Sequence, residues 1–157
     1  MYYEINKAYA QFTGSIYAPN LTGNIFFHSV QGGTEVYVEV WGLPLYQPAT
    51  NGNAPISPFG FHIHEYGVCE IEDPANPYES AGSHYNPNKQ PHGNHAGDFP
   101  VLFSNNGYAR MSFFTNKFKP KDIINRSVII HQNPDDYRTQ PSGDSGKRIG
   151  CGVIKSM

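Results

Sequence analysis

Helix-breaking residues run the whole length of this chain, with sixteen glycines and thirteen prolines among 157 residues. An interior proline costs a helix about 3 kcal/mol and an interior glycine up to about 1. Bundles and coiled coils are therefore disfavoured, and a loop-rich β protein is expected. One Trp, eleven Tyr and ten Phe supply bulky side chains for its core. The length suits a single domain over 1–157, enough chain to bury roughly 70% of its unfolded surface.

Period-two patterning places the strands. A weak strand is expected over Ala8–Phe12. Asn24–Val30 then leads through Gln31-Gly32-Gly33 into Glu35–Trp41, where Val36, Val38 and Val40 share a face opposite Tyr37, Glu39 and Trp41. Leu43–Pro58, with four prolines and the step Asn51-Gly52-Asn53, reads as a surface loop. Phe59–Glu65 resumes as a strand, and Tyr66–Asp98 has no sustained periodicity; so long an irregular segment inside a compact domain is a functional loop. Pro100–Ser104 and Tyr108–Phe114 are expected to form a hairpin about Asn105-Asn106-Gly107, because Asn-Gly supplies positive φ. Ser127–His131 is a short apolar strand, Gln132–Lys147 a second long loop, and Arg148–Ile154 the last strand. Together they predict an all-β Greek-key barrel or flattened sandwich of about eight antiparallel strands with two long functional loops, and no helix that can be named.

A formal charge of -2 gives no basic field to hold nucleic acid or an anionic membrane. No apolar window reaches membrane-spanning length. Met1–Lys7 carries an acid and no apolar signal core, so a cytoplasmic location is expected. Asn20-Leu21-Thr22 and Asn125-Arg126-Ser127 fit the glycosylation pattern but are read as chance matches. Cys69 and Cys151 are too few for a disulfide scaffold and too far apart for a zinc knuckle, though one bridge is open to them.

The histidines carry the chemistry. Six of seven (His62, His64, His84, His92, His95, His131) fall within seventy residues, together with Asp98. His62 and His64, two apart in a strand, project to one face and can reach one point in space. In the long loop, His84, His92, His95 and Asp98 offer three nitrogens and one oxygen, the donor set of a closed tetrahedral zinc site. If His131 lies beside the His62/His64 strand, the resulting nitrogen-rich face suits copper as well as zinc. His28 is read as an ordinary surface or core histidine. Other motifs fail: no His stands at Val68 to complete a zinc-protease pattern after His64-Glu65, the phosphate-loop glycine is replaced by Pro141, and no Cys-x-x-Cys supports a deaminase.

Six segments in this order resemble the copper, zinc superoxide dismutase family: Gly60-Phe61-His62-Ile63-His64-Glu65, Ala81-Gly82-Ser83-His84-Tyr85-Asn86-Pro87, His92-Gly93, His95-Ala96-Gly97-Asp98, Val128-Ile129-Ile130-His131 and Arg148-Ile149-Gly150-Cys151-Gly152-Val153-Ile154. The resemblance runs from about Ala8 to the C-terminus. It implies copper on His62, His64, His84 and His131, zinc on His84, His92, His95 and Asp98, and His84 bridging the two. It further implies that Asp135 hydrogen-bonds His62 and His92, that Cys69 and Cys151 form a disulfide, and that Arg148 attracts superoxide beside the copper and acts with His84 in catalysis. A copper chaperone and a homodimer are implied as partners. A catalytically silent homologue that binds metal or sequesters a copper-delivery partner is the alternative, but the matched ligand set, Asp135 and Arg148 favour the enzyme. Three departures stand out, one of them the ending Lys155-Ser156-Met157 in place of the small, apolar ending that eukaryotic dimers use. His92 and His95 are three apart where many members have a longer excursion, and Gln132–Lys147 is shorter than in the animal enzymes, leaving Lys147 and Arg138 as candidates for steering.

Overall fold

A computed structural model describes residues 5–157, so Met1–Glu4 of the opening stretch lie outside the described residues. Eight strands form among them: β1 (Lys7–Gly14), β2 (Thr22–Val30), β3 (Gly33–Trp41), β4 (Phe61–His64), β5 (Ala109–Thr115), β6 (Ser127–His131), β7 (Arg148–Val153) and β8 (Lys155–Ser156). They hydrogen-bond in the order β4-β6-β7-β1-β2-β3-β5, with β8 added to β1. Every pairing is antiparallel. The sheet curls, and the segment between Asp98 and Tyr108 links its two ends. Asp98 bridges His62, Leu102 bridges Phe59, and the Asn105–Tyr108 turn leads into β5.

Alternation explains the barrel wall. Val36, Val38 and Val40 are fully buried with Ala8, Ala10, Ile25 and Phe27, while Glu35 and His28 stay outside. Strands β4 and β6 differ, being buried at every position. Phe61, Ile63, Val128 and Ile130 enter the main core. Their alternates His62, His64, Ile129 and His131 face outward and are covered by the two long loops.

The structure departs from the expected strands where backbone donors are spent elsewhere. Pro100–Ser104 is no continuous strand: Pro100 has no amide hydrogen, and the Val101 amide donates to the Tyr137 hydroxyl at 2.8 Å. Only isolated bridges remain on that side of the turn. The Phe59–Glu65 strand shortens to β4 because the Gly60 amide donates to Asn133 and the Glu65 amide to Ser83. The weak first strand lengthens to Lys7–Gly14, and β8 and two short 3-10 turns (Glu79–Ala81 and Pro120–Ile123) are added.

Cys69 and Cys151 are disulfide-bonded across a sequence separation of 82, with their Cα atoms 5.6 Å apart. The bridge ties the first long loop to β7. Tyr78 and Ala81 from that loop pack against Ile129 and Cys151 as a small second core.

Candidate metal centre

Two side-chain groups converge on the outer face of β4 and β6. In the first, His62, His64, His84 and His131 bring ligand atoms within 4.8 Å of one another; in the second, His84, His92, His95 and Asp98 do the same, and His84 belongs to both. Strand β4 supplies His62 and His64, whose rings lie 6.3 Å apart. The register slips between Ile130 and His131, a β-irregularity that re-aims the His131 ring. Its Nε2 comes to 3.2 Å from His64 Nε2. The loop before Asp98 brings His84 onto the same face, its ring stacked 3.9 Å from that of His62.

The outer nitrogens are held by the protein. His62 Nε2 and His92 Nε2 sit 2.6 and 2.8 Å from the two oxygens of buried Asp135. His64 Nδ1 meets the Gly82 carbonyl at 2.9 Å, and His131 Nδ1 faces the Gly146 carbonyl at 3.4 Å. These contacts fix which nitrogen of each ring points inward. The inward atoms are left over: His62 Nδ1, His84 Nε2 and His92 Nδ1 are buried with no hydrogen-bond partner among the described residues. An unpaired buried polar atom costs about 1–3 kcal/mol, so these orphans are the signature expected of atoms reserved for a ligand. Copper and zinc, both of which accept imidazole nitrogen, fit this donor set.

The oxygen-bearing group is closed by its own loop. Asp98 Oδ2 accepts the backbone amides of Gly93 and His95, each at 2.9 Å. Its Oδ1 faces His84 Nδ1 at 3.0 Å, His95 Nδ1 at 3.2 Å and His92 Nδ1 at 3.4 Å. Lys117 also donates to the His95 carbonyl at 3.0 Å. Glycine is required where the second loop crosses: a Cβ on Gly143, whose φ is +70°, would collide with Asp135 and His92.

Arg148 opens β7 beside His131, half-buried, with Nη1 donating to the Tyr78 carbonyl at 2.6 Å and Nη2 to the Gly82 carbonyl at 2.8 Å. It lines a cleft of about 550 Å³ with His64, His84, His131 and Lys89. Neither steering candidate from the sequence lines this cleft. Lys147 turns its ammonium to Ala75 and Asn76 instead. Lys89 lines the cleft; it stands five residues after His84, where no motif or periodicity singles it out.

The comparisons with known proteins agree with this geometry. The family described as copper/zinc superoxide dismutase (SODC) matches residues 21–154. The chain belongs to that family. It is 33% identical over 154 residues to the copper-zinc superoxide dismutase of Deinococcus radiodurans, covering 87% of this chain and 79% of the relative. It is 39% identical over 119 residues to that of Saccharomyces cerevisiae, covering 66% of this chain and 74% of the relative. Among solved structures, the copper/zinc superoxide dismutase of Brucella abortus superposes with a TM-score of 0.75 at 27% identity, over 95% of this chain and 99% of that one. This superoxide dismutase family uses copper and zinc, and the two histidine groups here suit metal binding.

The same crowding has a consequence for the metal-free protein. Burial, reinforced by neighbouring imidazoles, pushes His62 and His64 well below the ordinary histidine value of 6.5 and His131 down to about 3. Burial would raise the Asp98 carboxyl, but its bonds to His84 and the His95 amide outweigh that and hold it below 3.8. As pH falls through 6.5 the unfolded chain takes up protons that the folded chain refuses, and below 3.8 Asp98 adds a loss of the same sign. The melting temperature of metal-free protein is expected to decline steadily below pH 6.5. A flat profile between pH 7 and 5 would contradict this.

Proposed function

We propose that this protein dismutates superoxide, with copper held by His62, His64, His84 and His131 and zinc by His84, His92, His95 and Asp98. The observation that carries the assignment is the division of the His84 ring. Its Nδ1 faces Asp98 Oδ1, while its Nε2 is buried and unpartnered on a ring that also belongs to the all-imidazole group, 4.9 Å from the His64 ring. Bound copper supplies one-electron redox cycling, by which one superoxide is oxidised to oxygen and a second, with two protons, is reduced to hydrogen peroxide.

The chain's own groups do the rest. Arg148, pinned by two carbonyls at the cleft, presents a fixed positive charge to a small anion, and Lys89 adds attraction at the cleft's edge. His84 Nε2 would carry one of the two protons to the reduced product, giving up the metal while it is protonated, and solvent would supply the other. Asp135 holds His62 and His92 in the orientation that leaves their Nδ1 atoms free. A silent homologue that only binds metal would have a use for the four-imidazole group but none for an arginine pinned beside it in the cleft. A homodimer and delivery of copper by a chaperone belong to the same reading and rest on the resemblance alone.

The test is metal analysis and superoxide consumption on one preparation, with copper and zinc expected near one each per chain. Full activity in copper-free, zinc-loaded protein would overturn the reading. In the same assay Arg148→Glu is expected to lower the second-order rate about tenfold or more, Arg148→Lys much less, with copper content unchanged. The wild-type rate should fall as salt rises, since attraction through solvent is screened over about 10 Å at 0.1 M. Equal low-salt rates for wild type and Arg148→Glu would remove Arg148 from this role.

A further inference from the structure

Only Gly93 and Asn94 separate His92 from His95. Within this short loop, Asp98 Oδ2 gathers the amides of Gly93 and His95, but His92 lies outside that set of bonds. The backbone of His92 is held instead by one side chain from the other long loop. Its amide donates to Gln140 Oε1 at 2.8 Å, and Gln140 Nε2 donates back to its carbonyl at 3.2 Å. With the ring Nε2 on Asp135 at 2.8 Å, the unpartnered polar atom left on His92 is Nδ1, the one facing Asp98.

We infer that Gln140 is a positioning residue for the zinc site, bracing His92 from outside where the loop is too short to brace it from within. The inference rests on the zinc assignment proposed above. The chemistry demands a carboxamide: one group must accept from an N–H and donate to a C=O on the same residue, and neither a carboxylate nor an aliphatic side chain does both. Gln140 itself is exposed on the outer side of the loop, so it contributes little to the core. Its value lies in holding His92 before the metal arrives, which reduces the ordering that binding would otherwise require.

The test compares wild type, Gln140→Ala and Gln140→Glu. Zinc affinity is measured by chelator competition, the ligand field by cobalt(II) substituted at the zinc position, and the brace itself by hydrogen exchange of the His92 amide. Gln140→Ala is expected to weaken zinc by on the order of tenfold, within the usual range for groups that orient a ligand. Its His92 amide should exchange faster and its cobalt spectrum should change. Gln140→Glu, which keeps the acceptor and loses the donor, should fall between. Metal-free melting should shift by no more than about 2 °C, as for a surface substitution. Unchanged zinc affinity with a protected His92 amide would overturn the brace, as would a parallel fall in metal-free stability. Failure of wild-type protein to give a four-coordinate cobalt spectrum would instead overturn the zinc assignment.

Discussion

His131→Ala is expected to reduce superoxide consumption to background while the barrel remains folded. The ring comes from the end of β6, where the register slips and turns it toward His64, and its Nε2 is one of four inward nitrogens in the all-imidazole group. Removing it leaves three nitrogens and an open side next to Arg148. The core contribution of β6 comes from Val128 and Ile130, which the substitution does not touch. Burial holds the imidazole it deletes well below the ordinary histidine value when no metal is present, so the metal-free protein loses one of the groups that make it acid-sensitive. Far-ultraviolet circular dichroism should match wild type, copper should be lost on dialysis, and pulse radiolysis should show no catalysed decay. His28→Ala, on the exposed face of β2, should change none of these. Retention of wild-type activity by the His131 variant would refute the four-imidazole copper site.

The largest stability effect is expected from the disulfide. In the chain-entropy picture, closing a loop of 82 residues restricts the unfolded chain by roughly 4–5 kcal/mol. That is a large share of the total stability of about 5–15 kcal/mol typical of a domain. The double variant Cys69→Ser/Cys151→Ser, which avoids a stray thiol, should therefore unfold at a much lower denaturant midpoint, most clearly without metals. Activity should suffer too. The Tyr78 and Gly82 carbonyls that pin Arg148 belong to the tethered loop, and Gly82 also holds His64 Nδ1. Loss of the bridge should lower the second-order rate even at full copper loading. In folded wild type neither cysteine should react with an alkylating reagent until a reductant is added; ready alkylation or an unchanged midpoint would count against this account.

The strands and ligand types could be read along the chain because each rests on local periodicity or residue identity. Val36, Val38 and Val40 alternate and are buried as alternation requires. His62 and His64 share a face because successive strand residues point opposite ways. The order of His, Asp, Arg and Cys motifs was enough to indicate the family. The Asp135 contacts to His62 and His92 were implied by the resemblance, but tertiary structure alone decided which nitrogen of His64 and His131 faces inward, since that depends on the Gly82 and Gly146 carbonyls arriving from elsewhere. It also put Lys89 among the residues lining the cleft, left Pro100–Ser104 without a continuous strand, and set Gln140 against the backbone of His92. The physical reason is the same wherever the partner is backbone, as at Gly82, Gly146, Val101 and His92. Backbone amides and carbonyls are the same in every residue, so a side chain that binds them from across the fold leaves no pattern in either partner's sequence.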